Sequence, residues 1–206
     1  NKILFAGGWV PGAHSTRVDI YDVLTKAWTT SELTVAERDG MVAGSVGTKV
    51  FFAGGGNNDW IDVTSRVDIY DAASNSWSTA ELSVPRKYLA TATIGNKILF
   101  AGGGMWGPLT PGSKPNYLVG TNVVDVYDHT TNAWITTALS EGRYELSAAV
   151  LGNKIYFGGG LHSMFTASNK IDIYDAVTNT WTTSKLREPK ASPSSVAIGN
   201  KIFWGA

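Results

Sequence analysis

Four basic residues recur at one position of a repeating sequence and are the side chains best suited to bind an anion. Each lies nine residues before a glycine that begins a predicted tight turn. A guanidinium can bind a carboxylate through two parallel hydrogen bonds, which makes these residues candidates for binding. Acids close in sequence could instead pair with these cations, and that alternative stays open. The basic residues are Arg38, Arg86, Arg143 and Lys190, and the nearby acids are Glu37, Asp39, Glu141, Glu145 and Glu188.

A second group of candidate binding residues consists of aromatic side chains with no counterpart in the other copies of the repeat. They fall in segments that vary in length, and variable loops on a rigid scaffold are where binding residues concentrate. Exposed tryptophan and tyrosine are good anchors for a protein partner or a sugar ring, although such residues can also pack inside their own loops. The residues are Trp9, Trp60, Trp106, Tyr117 and Phe165.

Signals for catalysis are weaker. The chain has no cysteine, which excludes thiolate chemistry and disulfides, and its three histidines are too scattered to form a metal site. No phosphate-binding glycine loop or nucleophile motif is present. The carboxylates Glu37, Glu141 and Glu188 could serve a sugar-active enzyme, which we keep as an alternative. We predict no catalytic residue, no metal and no cofactor.

The composition limits the classes of partner. The 206 residues carry no net charge, 17% are charged and 43% are hydrophobic. This balance gives no attraction to nucleic acid, and no apolar run approaches the roughly 20 residues of a membrane span. We therefore expect a protein or peptide partner, acidic or otherwise, or a glycan. The lack of cysteine, together with the many Ser, Thr, Asn and Trp residues, favours a secreted protein.

The repeat itself dominates the sequence. An apolar segment of the type NKILFAGG begins near residues 1, 48, 96 and 153, and a partial copy begins at 200. A second segment of the type VDIYD follows each complete copy, and a tryptophan comes seven residues after its tyrosine. The tyrosines are Tyr21, Tyr70, Tyr127 and Tyr174, and the tryptophans are Trp28, Trp77, Trp134 and Trp181.

Each repeat predicts four short strands, which we name A to D. A glycine-containing tight turn joins A to B, and Asp and Asn residues form the turn between C and D. No helical periodicity is present, so the fold class is all-β. The longest insertion, 105–121 between strands B and C, contains three prolines and three glycines, which predicts an irregular loop rather than extra strands.

This pattern resembles the kelch repeat. The resemblance covers nearly the whole chain and implies a β-propeller of four-stranded blades with strand A innermost. The double glycines, the tyrosines and the tryptophans are then structural, and Asp19, Asp68, Asp125 and Asp172 are hydrogen bonders between strands and loops. The glycine pairs are Gly7 and Gly8, Gly54 and Gly55, Gly102 and Gly103, and Gly158 and Gly159.

The resemblance also implies a function. Some kelch adaptor domains grip acidic peptides with arginines at the position of the basic residues above. We therefore expect a non-catalytic binding or scaffold module that recognises a protein or glycan through its B–C and D–A loops. The alternatives are an isomerase-like sugar enzyme and a purely structural propeller within a larger extracellular protein.

The strand count bears on the size of the propeller. The chain starts at strand B and stops at strand B, which gives seventeen predicted strands where four blades need sixteen. We expect residues 1–206 to be one kelch region, about four blades of a six- or seven-bladed ring. The alternative is a four-bladed ring in which the last strand A pairs with the first strand B.

Overall fold

All regular structure in the described part of the chain is β-strand, so the all-β prediction is confirmed. A computed structural model describes residues 1–10, 13–35, 38–56, 63–107, 117–163 and 166–205. These residues form two compact units, Asn1–Lys87 and Tyr88–Ala206, each built from antiparallel sheets. The prediction of one continuous ring of stated size stays a prediction.

The first unit contains a three-stranded sheet, a two-stranded ribbon and a four-stranded sheet. The three-stranded sheet has the order β1–β4–β5, the ribbon pairs β2 with β3, and the second sheet has the order β6–β7–β8–β9. The strands are β1 (Lys2–Ala6), β2 (Trp9–Val10), β3 (Ala13–His14), β4 (Arg17–Asp22), β5 (Trp28–Glu32), β6 (Val42–Val46), β7 (Lys49–Ala53), β8 (Arg66–Asp71) and β9 (Ser76–Glu81).

The second unit repeats this plan with two complete sheets, a hairpin and two ribbons. Its strands are β10 (Ala90–Ile94), β11 (Lys97–Ala101), β12 (Gly104–Gly107), β13 (Tyr117–Gly120), β14 (Val123–Asp128), β15 (Ala133–Ala138), β16 (Ser147–Leu151), β17 (Lys154–Gly158), β18 (Leu161–Ser163), β19 (Thr166–Ala167), β20 (Lys170–Asp175), β21 (Thr180–Lys185), β22 (Ser194–Ile198) and β23 (Lys201–Gly205). The complete sheets are β10–β11–β14–β15 and β16–β17–β20–β21, and the hairpin is β22–β23. The ribbons pair β12 with β13 and β18 with β19.

Among the described residues, seventeen of these strands correspond to predicted strands A to D, as the repeat indicates. The other six form the ribbons between strands B and C, and here the prediction for 105–121 is wrong. Trp106 pairs with Leu118 across β12 and β13. The three prolines lie at 108, 111 and 115, between the two strands, so they do not interrupt the pairing. Leu118 is buried, and the removal of this apolar side chain from water stabilises the hairpin.

Tight turns join the strands as the sequence predicts. The glycine that opens each A–B turn has a φ between 56° and 59°, which suits the first loop position of a type II′ hairpin. Each C–D turn contains a residue with positive φ five positions after the tyrosine. It is asparagine in three repeats (Asn75, Asn132, Asn179) and Lys26 in the first.

The hydrophobic core lies between neighbouring sheets within each unit. In the first unit, Val18 and Ile20 of β4 pack against Phe52 and Tyr70 of the next sheet. In the second unit, Val126 of β14 packs in a cluster with Phe157 of β17 and Tyr174 of β20. The repeated tyrosine and tryptophan pair across β8 and β9, with ring centroids 5.2 Å apart for Tyr70 and Trp77. These aromatic residues thus take part in the packing between sheets.

The structure corrects one glycine pair. In the first three repeats both predicted glycines have positive φ, but in the fourth the residues with positive φ are Gly159 (65°) and Gly160 (93°). Gly158 lies within β17 opposite Ile171, at the repeat position of Ala101. The run of three glycines permits either alignment in the sequence. The ring of Trp204 leaves no room for a Cβ at Gly158, because one would lie 2.6 Å from it.

Candidate functional site

Arg38 is the first of the predicted anion-binding residues and lies inside the first unit. It precedes β6 and is 4% exposed. Its guanidinium donates to three backbone carbonyl oxygens, those of Phe52 (2.7 Å), Gly54 (2.9 Å) and Arg66 (2.9 Å), and to the carboxylate of Asp68. One side chain therefore ties the segment before strand A to strands B and C of the same sheet.

Arg143 makes the same contacts in the second unit and is fully buried. It donates to the carbonyl oxygens of Gly159 (2.7 Å), Lys170 (2.9 Å) and Phe157 (3.4 Å), and it forms an ion pair with Asp172. Burial lowers the pKa of Arg143, and the charge of Asp172 opposes that shift. A buried guanidinium is stable here because carbonyl oxygens and one carboxylate surround it.

These positions correct the expectation that the basic residues face a ligand. Arg86 is also fully buried, and its guanidinium donates to the Val84 carbonyl oxygen at 3.0 Å. Lys190 remains partly exposed, 3.3 Å from Glu188. The guanidinium groups of Arg38 and Arg143 bind the repeated aspartates, about 30 residues along the chain. The expected pairing with sequence neighbours is also found, for Arg143 with Glu141 at 3.6 Å and for Lys190 with Glu188.

The repeated aspartates act as hydrogen bonders, as expected. The second carboxylate oxygen of Asp68 accepts from the Thr34 N–H (3.1 Å) and hydroxyl (2.7 Å). Asp172 accepts the Ser140 N–H at 2.8 Å in the same way. Asp68 and Asp172 thus each join the arginine of their own sheet to the end of the preceding strand D. The recurrence of this Asp in every VDIYD segment is the sequence signal that identifies the partner of the arginine.

The loops of the second unit form an ordered surface, which we call the loop platform. It consists of the β12–β13 ribbon, the segment 141–144 and the β18–β19 ribbon. The Tyr144 N–H and C=O both pair with Leu161, at 2.9 and 2.8 Å, and the Arg143 N–H donates to the Thr121 carbonyl oxygen at 3.1 Å. A Cβ at Gly120 would lie 2.6 Å from the Arg143 backbone, so glycine is needed for this close approach.

Glu141 is the charged centre of the loop platform. Its Oε1 accepts a hydrogen bond from the Ser168 hydroxyl and lies 3.6 Å from both Arg143 Nε and His162 Nε2. His162 Nδ1 is 2.9 Å from the Gly142 carbonyl oxygen, which can only accept, so Nδ1 carries the hydrogen. Among the described residues, no hydrogen bond reaches Glu141 Oε2, which leaves that oxygen able to accept from a partner.

Of the predicted aromatic binding residues, Trp106 lies in the loop platform and has a described side chain. It is half-buried, and its indole Nε1–H is buried with no acceptor among the described residues. Trp106 lies two residues along β12 from Gly104, which pairs with Gly120 beside the segment 141–144. Because a strand rises by about 3.3 Å per residue, the backbone positions of Trp106 and Gly104 are about 7 Å apart. The partly exposed Trp106 side chain and the free carboxylate oxygen of Glu141 therefore belong to one loop surface.

The remaining predicted residues are only partly described. Trp9 lies in β2 and Tyr117 in β13, so both are on B–C ribbons, although their side chains are not described. Trp60, Phe165 and Glu37 lie outside the described residues. In the described part of the chain, no group of three His, Asp or Glu residues could hold a metal ion. A search of the same residues finds no helical segment with the length and hydrophobicity of a bilayer span.

Successive four-stranded antiparallel sheets with double-glycine bends, two of them locked by a buried arginine–aspartate pair, define a kelch-type β-propeller protein. The chain belongs to the kelch-repeat family: a family model described as the KLHDC2/KLHL20/DRC7 Kelch-repeats domain matches residues 1–204. The search of curated proteins returned no match. A kelch domain is typically a protein-interaction module, which points to a binding or scaffold role.

Proposed function

We propose that this chain is a non-catalytic binding module whose partner protein docks on the loop platform. The observation that carries the proposal is the buried indole N–H of Trp106, which has no acceptor among the described residues. An unsatisfied buried donor costs about 1–3 kcal/mol, so docking that turns the Trp106 side chain and brings this N–H to a partner carbonyl oxygen would be favoured. Tryptophan is also among the residues that most often dominate interface energetics.

Glu141 adds a second requirement for the partner. Its Oε1 is occupied by Ser168, whereas Oε2 can accept from a backbone N–H, a lysine or an arginine. A protein segment offers both a carbonyl oxygen for Trp106 and a donor for Glu141. The segment 141–144 is held by backbone hydrogen bonds on both sides, which keeps these groups in place before binding.

The other aromatic residues extend the same proposal. We propose Tyr117, in the β12–β13 ribbon, as a further contact of the loop platform. Trp9, in the β2–β3 ribbon of the first unit, and Trp60 and Phe165, outside the described residues, stay proposed binding residues. A glycan is the second candidate ligand, because a tryptophan ring beside a carboxylate also suits a sugar. Buried arginines support the scaffold in either case, so we do not assign ligand contacts to Arg38, Arg86 or Arg143.

The first test uses a display library of random 12-residue peptides selected on the immobilised chain. For a selected peptide, we expect Trp106→Ala to weaken binding by at least about tenfold, since the loss of an anchor costs about 2 kcal/mol. Glu141→Gln should weaken it several-fold. Val177→Ala is the matched control, because Val177 is exposed in a C–D turn of the same unit, at the other end of the strands. Fluorescence anisotropy would measure each affinity.

Trp106→Phe separates an effect on binding from an effect on folding, because it keeps an aromatic ring but removes the N–H donor. Binding that is weakened by this variant while circular dichroism is unchanged supports the proposal. Peptides that bind equally well to the Trp106 and Glu141 variants would place the site elsewhere. Competition by a glycan, or turnover of a sugar, would favour the alternative ligand or an enzyme instead.

A further inference from the structure

The Glu141–His162 pair of the loop platform sets two hydrogen-bond acceptors against each other. His162 Nδ1 carries the hydrogen, because it bonds to the Gly142 carbonyl oxygen at 2.9 Å. In the neutral ring the other nitrogen, Nε2, then has only a lone pair. This nitrogen lies 3.6 Å from Glu141 Oε1. Neither atom can donate to the other, so the pair is complementary to a third group that donates to both side chains.

The charged groups on the segment that carries Glu141 are mostly acids. Arg143 Nε lies 3.6 Å from Glu141 Oε1, but the Arg143 guanidinium already forms an ion pair with Asp172. Glu145 follows on the same segment and adds a second negative charge. Burial, and then the charge of Glu145, raise the pKa of Tyr144, so its hydroxyl stays uncharged at neutral and mildly acidic pH. This segment therefore carries more negative than positive charge.

The other elements beside the pair do not balance this excess. β18, which carries His162, lies against β19 and β13, and neither strand contains a residue that is charged at neutral pH. The segment 188–190 reaches the platform through the Lys190 N–H, which donates to the Ser168 carbonyl oxygen at 3.0 Å. Its Lys190 and Glu188 side chains lie 3.3 Å apart, so their charges compensate each other. A cationic group on a partner would supply the missing counter-charge.

We propose that Glu141 and His162 together bind a lysine of the partner protein and release it in mild acid. This inference rests on the proposed function, because it names the partner chemistry that the loop platform selects. An ammonium carries three donors on one nitrogen, so it can donate to a Glu141 oxygen and to His162 Nε2 at the same time. The arginine fork instead matches two oxygens of one carboxylate, and the acceptors here belong to two different side chains.

The release in acid follows from the same geometry. Histidine is the side chain whose charge ordinarily changes between about pH 5 and pH 8. A proton on His162 Nε2 removes the lone pair that accepts from the lysine, and it creates a cation beside Glu141. The ring then supplies from within the chain the positive charge that the partner brings at neutral pH. Two cations compete for one carboxylate, and binding weakens.

The probes are 12-residue peptides selected on the immobilised chain at about pH 7.5, and only peptides whose binding requires Trp106 are used. We expect these peptides to share a lysine. Its replacement by glutamine should weaken binding about tenfold, because a hydrogen bond to a charged group is lost. The affinity of the lysine peptide, measured by fluorescence anisotropy, should fall about fivefold between pH 7.5 and pH 5.5.

Two variants of the full chain test the roles of the pair. His162→Gln should bind at pH 7.5 within about threefold of the wild type and lose the pH dependence, because glutamine keeps an acceptor but gains no proton. Glu141→Gln should bind weakly at both pH values. His129→Gln is the matched control, because His129 lies in a C–D turn of the same unit, after β14, and its variant should keep the full pH dependence.

The outcomes separate this inference from the proposed function. Peptides that require Trp106 but bind equally well with glutamine in place of lysine, or equally well at the two pH values, would overturn the inference and leave the proposed function standing. A pH dependence that persists in His162→Gln would also overturn it. The lysine replacement changes only the peptide, so it tests the inference even if a variant folds poorly. Peptides that are indifferent to both Trp106 and Glu141 would overturn the inference and the proposed function together.

Discussion

The buried arginines illustrate how much one side chain can do in a small sheet. Arg143 contacts strands B and C of its sheet through three carbonyl oxygens, and it shares Asp172 with the Ser140 N–H at the end of the preceding strand D. A lysine has one point of charge and no planar fork, so it cannot reach the same set of acceptors. The arginine therefore serves the fold, and we propose that ligand contacts come from other residues.

Loss of the carboxylate should destabilise the second unit strongly. Asp172→Asn leaves the Arg143 guanidinium buried without its counter-charge, and breaking such a pair costs about 3–5 kcal/mol. Urea unfolding followed by tryptophan fluorescence would measure the change in the free energy of unfolding. Glu188→Gln, which alters an exposed carboxylate of the same unit, should change it little. A loss as small as that of the control would contradict the structural role.

A second residue-scale prediction concerns acid stability. The hydrogen bond from Lys154, 2.7 Å away, and the N–H groups of Thr178 and Val177 lower the pKa of Asp175 from 3.8 to about 2. Because the folded pKa is below the unfolded one, Asp175 stabilises the fold above about pH 4, and this contribution is lost as the pH falls towards 2.

The test compares the wild type with Asp175→Asn between pH 6 and pH 2. The free energy of unfolding of the wild type should fall through the interval from pH 4 to pH 2, and that of the variant should fall less steeply. Lys154→Ala should reduce the slope in part, because the N–H groups remain. Parallel curves for all three proteins would show that Asp175 titrates normally.

At the scale of elements, the C–D turns show a recurrent device with one exception. The Tyr174 hydroxyl donates to the Asn179 side chain at 2.8 Å, and Asn179 has a φ of 56°. Asparagine tolerates this left-handed conformation better than most residues. In the first repeat the same position is Lys26, with a φ of 58°. That turn therefore carries the conformational cost without the tyrosine bond.

We expect Lys26→Asn to stabilise the first unit by about 1 kcal/mol, because it relieves the left-handed strain and offers an acceptor to Tyr21. The midpoint of urea unfolding reports the change. Lys26→Ala is the control, since alanine keeps the strain and adds no acceptor, and it should give no gain. Equal effects of the two substitutions would show that the asparagine bond contributes nothing.

At the scale of the whole molecule, the proposed docking site lies where the chain departs from its own repeat. The loop platform uses the B–C ribbons, which differ in every repeat. Where the repeat is regular, its polar groups already bind each other, as Arg38 binds Asp68. The repeat provides the scaffold, and we propose that the irregular segments provide the specificity.

Much of the fold could be predicted because the repeat appears four times with the same offsets. The offset from Tyr70 to Trp77 fixes the C–D hairpin, since those two residues pair directly across the strands. The 105–121 ribbon could not be predicted, because its prolines suggest a loop while its strands are held by the burial of Leu118. The contacts among Glu141, His162 and Ser168 could not be predicted either, because these residues come from different loops.

The sequence by itself determined the strand order, the turn positions and the membership of the kelch family, because these depend on local spacing that repeats along the chain. Only the tertiary structure decided what the basic residues do. From the sequence, Arg38 and Arg143 are interpreted as ligand-binding cations, because the sequence reveals only the acids that neighbour them along the chain. The fold brings an aspartate from strand C and three carbonyl oxygens to each guanidinium. A buried charge must satisfy its hydrogen bonds with whatever lies closest in space, and that neighbourhood does not exist until the sheet has formed.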